Sequence, residues 1–176
     1  NPQEGYSPSP QERQSWLQIS YMKEAYHTMG PKFTLGWMAE ALYSSKNFSE
    51  NYTATMMQAG EFAPTPHSKL MYNEAFRANQ YVAAGIKPIY VLNDMFQFRT
   101  EFYGFTPIFP IKKNALNKAY YGKAFSRFEY MGEVSVICHL PFGAISAYVN
   151  HYSSPRREWN VGMTIGWQLF NYRFVE

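Results

Sequence analysis

Trp159-Asn-Val-Gly-Met-Thr-Ile-Gly-Trp-Gln-Leu169 decides how this chain folds. Every second residue, Trp159, Val161, Met163, Ile165, Trp167 and Leu169, is large and apolar. Those between, Asn160, Gly162, Thr164, Gly166 and Gln168, are small or polar. A period of two means a β-strand with one greasy and one wet face. In a soluble barrel the greasy face points inward and is buried. In a membrane barrel it meets lipid, and the small polar face lines the interior.

The same rhythm recurs along the chain and predicts about eight strands. They run near Ser15 to His27, Lys32 to Tyr43, Tyr52 to Phe62, Gln80 to Leu92, Phe96 to Gly104, Phe125 to His139, Gly143 to Tyr152 and Trp159 to Phe170. In the second, Phe33, Leu35, Trp37, Ala39, Ala41 and Tyr43 share one face, with Thr34, Gly36 and Glu40 on the other. In the fifth, Phe96, Phe98, Thr100 and Phe102 oppose Gln97, Arg99 and Glu101, a face too polar for a dry core and expected to meet water. Strands of about 9 to 13 residues match a tilted membrane crossing, whereas globular strands average about 5 to 6. The expected fold is all-β, an antiparallel up-and-down transmembrane β-barrel over residues 11–176. Residues 1–10, with Pro2, Pro8 and Pro10, read as a linker or loop.

Composition agrees. Aromatics make up 19% of the 176 residues while mean hydropathy is −0.40, which excludes a helical membrane protein and suits aromatic girdles around a barrel. The uncharged stretch from Val134 to Pro155 is interrupted by Leu140-Pro-Phe-Gly143 and reads as two strands and a turn. A net charge of +3 is too weak to argue for nucleic acid. The single cysteine, Cys138, permits no internal disulfide. The chain opens on Asn1-Pro2-Gln3 with no signal-peptide pattern, as expected of a fragment or a processed product.

Connections carry a second signal. Asn93-Asp94-Met95 and Leu140 to Gly143 are tight, whereas Ala63 to Asn79 and Thr106 to Ala124 are long. Membrane barrels keep short turns on the periplasmic side and long loops outside. With eight strands counted back from a periplasmic C-terminus, Ser153 to Glu158 and the two long loops are extracellular, but the short Met29-Gly30-Pro31 falls on the outer side too.

Residues for catalysis are scarce. Gly162-Met-Thr-Ile-Gly166 mimics a nucleophile elbow, but that motif needs a sharp strand-to-helix turn and here lies inside an alternating strand. Asp94, the only aspartate, sits in a tight turn and is expected to stabilise it. His27, His67, His139 and His151 lack metal-ligand spacing, Cys138 continues an apolar face, and no phosphate-binding glycine loop occurs. No catalytic, cofactor-binding or metal-ligating residue is therefore assigned. Glu24, Glu40, Lys87, Arg99, Glu101 and Glu133 are expected to form an interior charge network, with Glu40, Arg99 and Glu101 the best lumen candidates. Trp37, Tyr43, Trp159, Val161, Met163, Ile165, Trp167 and Leu169 are the lipid-facing or girdle candidates.

Several stretches resemble the C-terminal region of patatin-like phospholipases of the Bacteroides group. They are Leu35-Gly-Trp-Met-Ala-Glu-Ala-Leu-Tyr-Ser44, Pro64-Thr-Pro-His-Ser68, Phe76-Arg-Ala-Asn-Gln-Tyr-Val-Ala-Ala-Gly85 with Lys87-Pro-Ile-Tyr90, and Arg99-Thr-Glu-Phe-Tyr103. Pro141-Phe-Gly-Ala-Ile-Ser146 through Asn150-His-Tyr152 to Gly166-Trp-Gln-Leu-Phe-Asn171 continues the match. The resemblance implies a parent with an N-terminal patatin hydrolase and a C-terminal barrel of the BamA and surface-antigen type in the bacterial outer membrane. Such barrels have sixteen strands, so this chain would be the C-terminal half. The family's catalytic Gly-x-Ser-x-Gly and Asp-Gly-Gly or Asp-Gly-Ala motifs are absent, and Asp94 is followed by Met95. This segment is then not itself an enzyme. Its implied partners are membrane lipids, the remaining strands and patatin domain of the parent, and the barrel-assembly machinery. Closure would come from missing strands, from a homodimer, or from the eight strands alone. Two other readings fit the alternation: a soluble lipocalin-like barrel holding a hydrophobic ligand, and a self-contained small outer-membrane barrel with no enzyme.

Overall fold

The computed structural model describes residues 15–153 and 159–167. Seven strands form one antiparallel meander, each paired to the next in the order β1, β2, β5, β6, β9, β10, β11. These are β1 (Gln18–Thr28), β2 (Phe33–Ser44), β5 (Gln80–Val91), β6 (Phe96–Pro107), β9 (Glu129–Leu140), β10 (Gly143–Tyr152) and β11 (Trp159–Trp167). Leu169 lies outside the described residues, as does most of the Ser153 to Glu158 connection. Within the connections, α1 (Tyr52–Gln58), β3 (Gly60–Glu61), two short 3-10 turns and β4 (Arg77–Ala78) lie between β2 and β5, and the hairpin β7 (Ile111–Lys113) and β8 (Ala119–Tyr121) lies between β6 and β9. Among the described residues no helix is long and apolar enough to cross a membrane.

The predicted strand from Tyr52 to Phe62 is the main departure. Its first part is helix α1, capped where the Asn51 side chain accepts from the Ala54 N–H at 2.8 Å, a contact worth about 1 kcal/mol. Thr55, Met56 and Ala59 are buried at helical spacing, and Met56 and Ala59 pack with Ile111. Among the described residues seven long strands therefore stand where eight were expected, and the connection parity resolves. Met29 to Lys32, Leu92 to Met95 and Pro141-Phe142 all lie at one end of the sheet. The connections 45–79 and 108–128 lie at the other. The sixth expected strand starts at Glu129 rather than Phe125. In the turn after β5 it is Asn93, not Asp94, whose side chain accepts from the next N–H groups, those of Met95 at 3.0 Å and Phe96 at 2.8 Å.

Register is held by close fits on one face. Tyr26 lies opposite Gly36, Tyr103 opposite Gly85, and Tyr148 opposite Gly162. Each ring lies across its glycine so closely that a Cβ there would sit 2.6 Å, 2.1 Å or 2.3 Å from it. Glycine on one strand thus makes room for a tyrosine from the next, a pairing that pins register better than small residues alone. Gly162 and Gly166 sit in an unbroken strand, as their place in the alternation predicts.

The 45–79 connection folds back over that same face. Phe62 packs edge-on to Tyr81 and Tyr103 and stacks on Phe105 at 5.8 Å, and Phe76 contacts Phe105 and Tyr152. With Met38, Leu42 and Met131 these rings make the main core. The core therefore lies between insertion and sheet, near the end with long connections. The face it covers is called the inner face below.

Candidate functional site on the inner face

Alternation fixes which side chains reach the inner face. From β2 come Met38, Glu40 and Leu42; from β5 Tyr81, Ala83 and Lys87; from β6 Arg99, Glu101 and Tyr103; from β9 Met131, Glu133 and Ser135; from β10 Asn150 and Tyr152. All six members of the expected charge network, with Glu24 from β1, lie there. They are not one cluster but several pairs. Lys87 binds Glu24, which also accepts from the Tyr26 hydroxyl at 2.6 Å. Arg99 Nε stands 2.6 Å from Glu101 Oε1, and Tyr103 donates to the other oxygen of Glu101. Glu40 accepts from Tyr81 at 2.5 Å. Glu133 lies between Glu101 and Asn150 in the cross-strand row.

The polar face of β6 was expected to meet water. Instead Glu101 is 2% exposed and Glu133 4%. Ion pairing with Arg99 and the hydrogen bond from Tyr103 to Glu101 meet part of the cost of burying that charge.

The insertion is tied to this wall by polar contacts that the sequence pattern did not reveal. His67 Nδ1 shares a hydrogen bond with the Tyr152 hydroxyl at 2.9 Å, and its ring lies against Tyr148 and Tyr152. The Tyr81 hydroxyl also reaches the Glu61 carbonyl at 3.2 Å. Within the insertion Arg77 pairs with Glu61 at 2.5 Å, and Arg127 of the 108–128 connection donates to the Ala75 carbonyl. Tyr52 donates to Glu74, and burial with that acceptor pushes its phenol above the usual range. The only sequence signal for this docking is the dense Pro64-Thr-Pro-His-Ser68 turn, where Thr65 and Ser68 bond each other's backbone.

Burial holds the His67 imidazole below its usual value near 6.5. The docked insertion then binds fewer protons than the released one. Docking stability is complete above about pH 6.5 and declines as pH falls toward the lowered value. Limited proteolysis within residues 45–79 should accordingly be faster at about pH 5.5 than at about pH 7.5. His67→Gln should flatten that difference. An equal difference in the variant would assign it to another group.

The opposite face carries the apolar set. Ile86 is 50% exposed, Val134 52% and Met163 65%. Val82, Phe98, Phe102, Val149, Val161 and Ile165 are also exposed. Of the lipid-facing candidates, Tyr43, Trp159, Val161, Met163 and Ile165 are exposed on this side. Trp37 is half-buried within β2, with Lys23 Nζ 5.7 Å from its ring centroid. Trp167 is the last described residue of β11. Aromatics gather toward the strand ends, Phe33, Tyr90 and Phe98 at the short-turn end and Tyr43, Tyr130 and Trp159 at the other. A shallow outer groove of about 270 Å³ over Gly132 is lined by Phe102, Tyr130, Val134, Val149, His151 and Trp159 among others.

Among the described residues no group of three or more His, Cys, Asp or Glu side chains is placed to hold a metal, and Cys138 is a free thiol. Comparison with protein families, curated proteins and solved structures finds no match.

Proposed function

We propose that this chain is an outer-membrane β-barrel segment that anchors a patatin-like phospholipase, a lipid acyl hydrolase whose catalytic residues lie elsewhere in the parent protein. One observation carries the membrane part: the polarity of the sheet is inverted. Lys87, Glu101, Glu129 and Glu133 are buried on the inner face, while Ile86, Val134, Val161, Met163 and Ile165 stand exposed on the opposite face. A water-soluble barrel binding a hydrophobic ligand needs the opposite arrangement, apolar side chains around a cavity and polar ones outside. Soluble monomers rarely leave a contiguous apolar face spread over several strands open to water. The face has the right height. Phe96 to Thr106 spans about 33 Å along the strand, or about 25 Å of height at the usual tilt of about 40°. Segregation of short turns and long connections to opposite ends supports the same reading, with long connections outside the cell.

The phospholipase part rests on the resemblance of Leu35–Ser44, Phe76–Gly85 and the closing strands. The barrel would hold the hydrolase at the membrane and provide a route for it or its lipid product. Its partners would be membrane lipids, further barrel strands, the patatin domain and the barrel-assembly machinery.

The test is gel mobility of the chain refolded in detergent, boiled against unboiled. A folded membrane barrel resists the detergent and shifts only on heating. A shift, with insolubility in detergent-free buffer, is the expected result. A monodisperse soluble protein without a shift would overturn it. Upstream of Asn1 in the parent gene, a Gly-x-Ser-x-Gly motif is expected; its absence would leave an anchor without an enzyme.

A further inference from the structure

The connection 108–128 contains Lys112, Lys113, Lys118, Lys123 and Arg127 and no Asp or Glu. Five cations in one connection exceed the +3 net charge of the entire chain. Arg127 is engaged, by Glu129 at 3.1 Å and by the Ala75 carbonyl. The four lysines are exposed and take part in none of the ion pairs or cation–π contacts among the described residues. The hairpin that carries Lys112, Lys113 and Lys118 is fixed. Ile111 is buried against Met56 and Ala59, and Asn114 holds the turn by accepting from the Leu116 and Lys118 N–H groups at 2.9 and 2.8 Å.

Apolar side chains accompany the charge. Leu116 stands 78% exposed at the tip, between Lys113 and Lys118. Phe128 is 62% exposed and lies over Gly104, on the outer face of β6. The basic segment thus begins where the apolar face ends. A lipid whose chains lie along that face would carry its headgroup to the level of these lysines.

We infer that the 108–128 connection binds the phosphate groups of anionic lipids packed against the outer face. This rests on the membrane reading above. Free lysines are point-charge phosphate binders that need no fixed fork geometry, and a cluster near an anionic surface adds attraction for each charge. The exposed Leu116 and Phe128 select an amphiphile over a soluble anion.

The full chain, refolded in an uncharged maltoside detergent, is titrated with phosphatidic acid. The readouts are bound lipid by native mass spectrometry and the temperature at which the gel shift disappears. The expected result is lipid retention and a raised midpoint, weakened by added salt. Replacing Lys112, Lys113, Lys118 and Lys123 by Gln should weaken retention about five-fold per lysine while leaving the heat-dependent shift itself intact. Phosphatidylcholine and inorganic phosphate should give neither effect. Equal retention by the Gln variant would overturn the inference, as would equal binding of inorganic phosphate or a short single-stranded DNA. If the wild type shows no heat-dependent shift, it is the membrane reading that fails.

Discussion

Val134→Arg is expected to cost the inserted fold about 2–4 kcal/mol, the penalty for a cation near the middle of the lipid-facing side of a barrel. Val134 lies centrally in β9, pointing outward and half exposed, between Thr100 and Val149 on the neighbouring strands. In water, an exposed position of this kind tolerates Arg within about 0.5 kcal/mol. One substitution therefore separates two solvents. Urea or thermal midpoints in lipid vesicles measure it, with Gln58→Arg at the exposed end of α1 as the reference change. A neutral Val134→Arg in vesicles would mean that this face does not meet lipid.

Glu101→Leu should be as damaging for the opposite reason. Glu101 is the buried partner of the Arg99 guanidinium and accepts from the Tyr103 hydroxyl. Removing it leaves Arg99 with no ion-pair partner and Tyr103 with no acceptor for its hydroxyl. Breaking a fully buried pair costs about 3–5 kcal/mol; with Arg99 29% exposed and Glu101 facing the buried Glu133, the loss should fall toward the lower end of that range. A double change, Arg99→Met with Glu101→Leu, should recover much of that, since an apolar replacement of both partners is often neutral. Equilibrium unfolding of the three variants in the same detergent decides. If the double variant is no better than the single one, the hydrogen bond to Tyr103 rather than the ion pair holds this wall together.

The two substitutions probe faces that were unequally legible in the sequence. Side of the sheet was plain, because a period of two assigns every residue of β2, β6 and β11 to one face or the other without knowledge of the neighbours. The six expected charged side chains do share the inner face, but as separate pairs rather than one network. Partners were not legible. That Lys87 takes Glu24 rather than Glu101, or that Tyr103 covers Gly85, depends on register, which is set by tertiary contacts. Helix α1 was hidden because Tyr52-Thr-Ala-Thr-Met-Met alternates as well as many strands do, and only the Asn51 cap and the packing on Ile111 settle it. The docking of His67 on Tyr152 joins residues 85 apart, beyond any local pattern.

The direction of the two outermost strands has a consequence for closure. β1 and β11 both run from the long-connection end toward the short-turn end, as the first and last of an odd-numbered antiparallel meander must. Joined directly, they would meet as a parallel seam. Two copies standing the same way up in one membrane would meet edge to edge with the same mismatch. Only an odd number of intervening strands lets every neighbour run opposite to the next. A sixteen-stranded barrel would supply nine. Parity thus rejects a fully antiparallel ring built from these seven strands alone, and any strands that completed such a ring would have to come as an odd set.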